Sequence, residues 1–119
     1  MENSAFWLEM NKSGYLSSLI MKDDPYEMNW VIDDSYLEQT GYQNGGRMFG
    51  QFDLTVNGET FYSKDCVPVI QEREQEILIS YEMGPVMVTL AYELEQEGDS
   101  LFWKIGLENR TGDELQISD

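Results

Sequence analysis

The sequence predicts an all-β fold, an antiparallel β-sandwich built from hairpins and a C-terminal meander, on three observations. Apolar and polar residues alternate through most of the 119 residues, as they do in strands with one buried face. Clusters of turn-forming residues interrupt this alternation. No stretch keeps helical spacing over more than about one turn. Because the length fits one domain, we expect residues 1–119 to form a single β-sandwich.

Two hairpins are predicted in the first half of the chain. The first joins an alternating strand over residues 6–10 to an extended run over residues 15–21, through the turn residues 11–14. The second joins residues 52–56 to residues 59–62 through Asn57-Gly58. This dipeptide accepts the positive φ angles of a type I′ turn, and it is the strongest local signal in the sequence.

The second half predicts a meander of strands over residues 77–83, 86–94 and 101–107, with a last strand that starts at Leu115. Leu90 and Trp103 lie in the middle of apolar stripes, so we expect both in the core and a large loss of stability when either becomes alanine. Residues 63–76 are charged and contain Pro68, which favours a crossover between two sheets.

Two segments do not fit this regular pattern. The region Asp23–Gly50 is long and weakly patterned, and loops of this length in compact domains tend to be functional or to pack on something else. The chain also ends inside a strand signal, because no turn closes Leu115–Asp119. From this ending we expect a fragment or the N-terminal domain of a longer polypeptide, or a strand that pairs with another chain.

The charge excludes several classes of partner. Seven Lys and Arg face 23 Asp and Glu, which gives a formal net charge of −16. A field of this sign repels phosphate backbones and anionic lipid, so we expect neither nucleic-acid nor membrane binding. The apolar stretches are too short to span a bilayer, and the one after Met1–Ser4 is too short for the core of a signal peptide. We therefore expect a cytoplasmic protein.

Composition also restricts catalysis. The chain has no histidine, which removes the usual nucleophile–base systems and zinc sites. Cys66 is the only cysteine and has apolar neighbours, so we expect a packed thiol. The adjacent aspartates Asp23-Asp24 precede Pro25 and could ligate calcium, but turn chemistry explains them as well. No carboxylate pair stands out by spacing. We expect no catalytic residue, no metal and no cofactor in this chain.

Aromatic residues of the long region are the candidate ligand-binding residues. Trp30, Tyr36 and Tyr42 lie there, outside the apolar stripes of the predicted strands. Aromatic faces pack well on the C–H-rich side of a sugar ring, and binding residues are often found on loops. These three residues are therefore the candidates for stacking on a sugar ring.

Two stretches carry a resemblance to a known family. The first is Asn11–Leu19 (NKSGYLSSL) followed by Lys22–Val31 (KDDPYEMNWV), and the second is Phe102–Asp119 (FWKIGLENRTGDELQISD). Together they resemble the N-terminal β-sandwich of large bacterial glycoside-hydrolase-like proteins, a galactose-mutarotase-like supersandwich that an (α/α) barrel usually follows. In such enzymes the catalytic acid and base usually belong to the barrel. Related mutarotase-like sandwiches use histidines, which this chain lacks.

The resemblance implies a non-catalytic accessory domain of a carbohydrate-active enzyme. Its partner would be a catalytic domain, in the same polypeptide or in a partner chain, and it would pack on that domain and could lend a loop to the substrate cleft. The alternative is an independent β-sandwich module that binds carbohydrate or protein.

Overall fold

The structure, a computed structural model, describes residues 1–31 and 49–118, and within these ranges it contains strands and one short 3-10 helix but no α-helix. The strands are β1 (Phe6–Met10), β2 (Leu16–Met21), β3 (Asp53–Val56), β4 (Glu59–Tyr62), β5 (Val69–Glu72), β6 (Glu76–Met83), β7 (Val86–Leu94), β8 (Leu101–Asn109) and β9 (Ile117–Ser118). The predicted all-β, antiparallel fold is therefore confirmed. No helix in the described part of the chain could cross a membrane.

The strands form three antiparallel sheets. Strands β5, β6, β7 and β8 follow one another in the largest sheet, β4, β3 and β9 form the second, and β1 pairs with β2 in the third. The final strand β9 returns to the middle of the chain and pairs with β3, where Ile117 lies opposite Val56. Asn57 reinforces this return, because its side-chain oxygen accepts the backbone N–H of Gln116 at 2.9 Å.

The core lies on the inward face of β6 and β7. Every second residue of these strands is buried, which confirms the predicted alternation: Ile77, Ile79, Tyr81, Met83, Val86, Val88, Leu90, Tyr92 and Leu94. The two smaller sheets cover this face, because Leu8 and Leu16 of the first hairpin and Leu54 and Val56 of β3 belong to the same buried cluster. The arrangement is a sandwich in which one four-stranded layer faces two smaller sheets.

The two predicted hairpins are present. Strands β1 and β2 pair from Phe6 opposite Met21 to Met10 opposite Leu16. Between β3 and β4, Asn57 and Gly58 have φ angles of 49° and 82°, as a type I′ turn requires. Both hairpins could be predicted because each is closed by residues that are neighbours in the sequence.

The prediction for residues 63–76 was correct in part. This segment does cross from the sheet of β4 to the sheet of β5, but it also contains β5, which pairs with β6 from Val69 opposite Ser80 to Glu72 opposite Ile77. Pro68 immediately precedes this strand. Proline is tolerated there because β5 is an edge strand, and the sequence pattern could not distinguish an edge strand from a loop.

The prediction that Trp103 is a core residue is wrong. Its side chain is 45% exposed, whereas Leu90 on the neighbouring strand is 1% exposed. Trp103 does lie on the inward face, since it pairs with the buried Tyr92 in the register between β7 and β8. The alternation therefore gave the correct face, but the layer that buries β6 and β7 does not cover β8.

A buried hydrogen bond joins the first hairpin to the main sheet. The Tyr81 hydroxyl donates to the backbone oxygen of Gly14 at 3.2 Å, and the ring packs edge-on against Phe52 at a centroid distance of 5.2 Å. Gly14 has a φ of 90°, and a Cβ atom there would collide with the Tyr81 hydroxyl. Only glycine fits this turn without strain.

Burial of Tyr81 predicts loss of stability in alkali. Burial, with a smaller effect from Cys66, raises the pKa of this phenol from 10.0 to about 12. An unfolded tyrosine ionises near pH 10, so stability is complete below that value and falls as the pH rises toward 12. Denaturant unfolding at several pH values above 9 should show this fall, and Tyr81→Phe should show a shallower one.

The matched control is Tyr62→Phe, which alters a phenol on the exposed side of β4. It should lose stability in alkali as steeply as the wild-type protein. An equally steep fall in Tyr81→Phe would show that this phenol is not the group whose ionisation opposes folding.

Candidate functional site

Several exposed apolar side chains lie next to one another on β8. In the ladder with β7, Leu90 pairs with Ile105 and Val88 pairs with Leu107, so these side chains share the inward face. The β7 members are buried, whereas Ile105 is 61% and Leu107 50% exposed. We call the side chains of Trp103, Ile105 and Leu107 the β8 apolar face. Neighbouring strands are only about 5 Å apart, so the covering layer ends within one strand of the core.

Aromatic contacts hold one end of the β8 apolar face. The Trp103 ring stacks on Tyr92 with a centroid distance of 5.9 Å and an interplanar angle of 11°. Phe49 lies against the same indole at 5.6 Å and is itself half exposed. These contacts fix the orientation of Trp103 and leave part of the ring open to a partner.

Tyr92 has a second notable property, because its hydroxyl is buried. This oxygen has no hydrogen-bond partner among residues 1–31 and 49–118, and Gly50 lies so close to it that a Cβ there would come within 2.7 Å. Burial, with a smaller effect from Tyr81, raises the pKa of the phenol well above its usual range. The group therefore stays neutral and acts as a large core side chain.

The backbone of β8 has one free side in the described sheet. The N–H of Arg110 donates to Pro85 and the N–H of Glu95 donates to the oxygen of Ser100. In an antiparallel ladder the bonded pairs alternate with unbonded ones, so the even-numbered residues of β8 bond to β7. The odd-numbered residues direct their backbone groups away from it: Leu101, Trp103, Ile105, Leu107 and Asn109. We call this row of backbone groups the β8 edge.

Charge around β8 differs from that of the whole chain. Residues 100–110 contain Lys104, Arg110 and a single acid, Glu108. Lys104 contacts Glu93 at 3.0 Å on the outward face, and its hydrogen bond is the main reason that the pKa of Glu93 is lowered. Arg110 lies 3.5 Å from Glu82. A chain of net charge −16 thus presents a strand with one base, Lys104, and one acid, Glu108, and a second base, Arg110, directly after it.

Of the sequence-predicted binding residues, the structure describes Trp30. It is 60% exposed, and its backbone N–H donates to the oxygen of Leu19 at 2.9 Å. Tyr36 and Tyr42 lie outside the described residues. Tyr26, four residues before Trp30, is 86% exposed and was missed by the sequence analysis, although its position after Pro25 in a turn was a signal for exposure.

The loop that carries Trp30 is held by hydrogen bonds within it and by hydrogen bonds to β2. Asp24 accepts the N–H groups of Tyr26 and Met28 at 2.9 and 3.0 Å, so the turn-forming role of this aspartate is confirmed. Asn29 accepts the N–H of Leu19 at 2.9 Å and donates to the oxygen of Ser17 at 3.0 Å. A loop held in this way presents its aromatic side chains with little further loss of conformational entropy on binding.

In the part of the chain that the structure describes, no group of three or more Asp, Glu or Cys side chains could hold a metal ion. Cys66 packs against the core cluster, as the sequence predicted. Its sulfur donates to the backbone oxygen of Tyr62 at 3.4 Å. Burial, with a smaller contribution from Asp65, raises the pKa of this thiol, which lowers its reactivity.

The chain matches no protein-family model, no curated protein and no solved structure. The resemblance of residues 11–31 and 102–119 to the sandwich of glycoside-hydrolase-like proteins therefore stays a prediction. The structure places the second stretch on β8 and β9.

The exposure of β8 predicts different costs for two substitutions that the sequence analysis treated alike. Leu90→Ala leaves an enclosed cavity and should lower the free energy of unfolding by about 2–5 kcal/mol. Trp103→Ala leaves an open site, so its cost should stay well below the roughly 3–5 kcal/mol of a core aromatic. Equilibrium unfolding in denaturant measures both. A cost for Trp103→Ala equal to that for Leu90→Ala would show that Trp103 is covered in solution.

Proposed function

We propose that this chain is a non-catalytic β-sandwich accessory domain of a carbohydrate-active enzyme, and that its β8 apolar face packs on a catalytic domain. The catalytic domain belongs to the same polypeptide or to a partner chain. The observation that carries the proposal is the exposure of Trp103, Ile105 and Leu107 beside the fully buried side chains of β7. Exposed apolar side chains that lie next to one another are typical of interaction sites.

The chemistry of the face fits a protein partner. A large aromatic ring with a fixed orientation is the kind of residue that anchors interfaces, and Trp103 is held by Tyr92 and Phe49. Ile105 and Leu107 add aliphatic surface without charge. The face offers no hydrogen-bonding side chain apart from the indole N–H, which disfavours a polar small molecule as its main ligand.

The carbohydrate part of the proposal is supported by the resemblance of two stretches, one of which supplies β8 itself. The division of labour follows from composition. The chain has no histidine and one cysteine, and that cysteine is packed beside the core. We therefore assign acid–base catalysis to the partner and docking to this domain.

Site-specific photocrosslinking in the cells that make the protein tests this proposal. A photoreactive amino acid replaces Ile105 in one variant and Glu74 in a matched control, since Glu74 is exposed in the turn before β6. We expect the variant at position 105, and not the control, to crosslink to a domain that hydrolyses glycosides. Crosslinks to a second copy alone, or to proteins without such activity, would contradict the proposal.

A second candidate function has its own support. The fastened loop Asp24–Val31 presents Tyr26 and Trp30 to solvent, and exposed aromatic side chains of this kind suit the apolar face of a sugar ring. The chain would then act as an independent carbohydrate-binding module.

Fluorescence titration with a panel of oligosaccharides tests this second function. Trp30→Ala should weaken binding about tenfold, the equivalent of one stacking contact worth about 1.4 kcal/mol. Trp7→Ala is the control, because Trp7 is a partly exposed tryptophan on β1 and should leave affinity unchanged. If no sugar alters the fluorescence, or if both variants bind as the wild-type protein does, the carbohydrate-binding function is wrong.

A further inference from the structure

We propose that the β8 edge pairs with the β8 edge of a second copy of this chain, in antiparallel register, to form one continuous eight-stranded sheet. This inference goes beyond the proposed function, because it depends on the backbone of β8 and not on the side chains that the proposed function assigns to a catalytic domain. The two do not compete. A paired edge leaves the β8 apolar face open and places two such faces side by side.

The β8 edge is the longest free edge of the described sheets. It runs over nine residues, whereas the opposite edge, β5, and the edge strand β4 have four residues each. Pro68 precedes β5 and the charged residues Glu72, Arg73 and Glu74 close it. Short, charged and proline-flanked edges resist pairing with other strands, and long, mainly apolar ones favour it. The two charges of β8, Lys104 and Glu108, both lie on its outward face.

A two-fold axis at Ile105 gives a self-complementary register. Ile105 then faces Ile105 of the second copy, Trp103 faces Leu107, and Leu101 faces Asn109. All of these residues direct their backbone groups away from β7, since the bonded pairs of the existing ladder are the even-numbered ones. About ten backbone hydrogen bonds can form across such a pair of edges.

The side chains are compatible in the same register. On the outward face, Lys104 lies opposite Gly106 of the second copy and diagonal to Lys104 of that copy, and Phe102 lies opposite Glu108, so no like charges lie directly opposite each other. Lys104 also comes diagonal to Glu108 of the second copy, within reach of a long side chain. Strand β8 itself carries one base and one acid, Lys104 and Glu108, and Lys104 is paired with Glu93, so two acidic chains can approach at β8 with less repulsion than their net charge implies.

The size of the contact predicts a weak dimer. Pairing of one nine-residue strand edge buries the backbone edge and the flanks of its side chains, on the order of 400 Å² per copy, about half of the roughly 800 Å² per partner in a standard interface. The net charge of −16 on each chain adds long-range repulsion, which salt screens. Association should therefore increase with both protein concentration and ionic strength.

Sedimentation of the purified chain across a concentration series, at low and high salt, tests the dimer. The wild-type mass should rise from 13.8 kDa toward twice that value. Ile105→Pro should still fold, because proline is tolerated on a free edge. It should stay monomeric, because it removes an N–H that points away from β7 and would bond to the second copy. A wild-type chain that stays monomeric under every condition would overturn the proposal.

Glu72→Pro is the matched control on the opposite edge. Arg73 donates its N–H to Glu76 at 2.7 Å, so by the same alternation the N–H of Glu72 points away from β6. This variant should dimerise as the wild-type chain does. A dimer that persists in Ile105→Pro, or that is lost equally in Glu72→Pro, would show that β8 is not the contact.

Amide hydrogen exchange of the wild-type chain provides a test that needs no variant. The amides of Trp103, Ile105 and Leu107 should exchange fast when dilute and become protected as the dimer forms. The amides of Phe102, Lys104 and Gly106 should be protected throughout, because they bond to β7. Odd-numbered amides protected in the monomer would mean that another part of the same chain occupies the edge, which overturns the proposal. A monomer that still crosslinks to a catalytic domain would overturn this inference and leave the proposed function standing.

Discussion

The inward side chains of β6 and β7 form the buried surface on which the other layers depend. All nine of them are at most 4% exposed, and two are tyrosines whose rings span the space between the sheets. Tyr81 fixes the first hairpin by its bond to Gly14 and contacts Phe52 ahead of β3. At the other end of the sheet, Asn3 donates to the backbone oxygen of Glu95 at 2.8 Å. The positions of the two small sheets are therefore set by the inward apolar side chains of β6 and β7, which these sheets cover.

The same requirement explains why β8 is exposed. The first hairpin and the sheet of β3 contribute four buried side chains to the core, which suffices for two central strands. Strand β8 is present because β7 offers it a full ladder of nine pairs, and backbone pairing does not need a covering layer. The sheet is therefore one strand wider than the layer that covers it, because β8 is held by backbone hydrogen bonds to β7. The result is an apolar face and a free backbone edge on the same strand.

Net charge and local charge act on different scales in this protein. The surplus of acids makes two copies repel each other over a distance that the Debye length of the solution sets. At contact, the charges on the meeting surfaces dominate, and on β8 these are one base, Lys104, and one acid, Glu108. An acidic protein can therefore carry a docking strand, with salt as the variable that sets how often two surfaces meet.

The sequence by itself determined the features that depend on near neighbours along the chain. Asn57-Gly58 closes its hairpin because two residues suffice to set a type I′ turn, and the stripes of β6 and β7 follow from the two-residue period of a strand. Tertiary structure decided the rest. Alternation assigned Trp103 to the correct face, but burial depends on the width of a layer made from distant segments. The sequence pattern did not predict β5, because the pairing of an edge strand depends on β6. It also did not predict that Trp30 would be hydrogen-bonded to Leu19. The side on which a residue lies is a local property of a strand, whereas the covering of that side depends on segments that only the folded chain brings together.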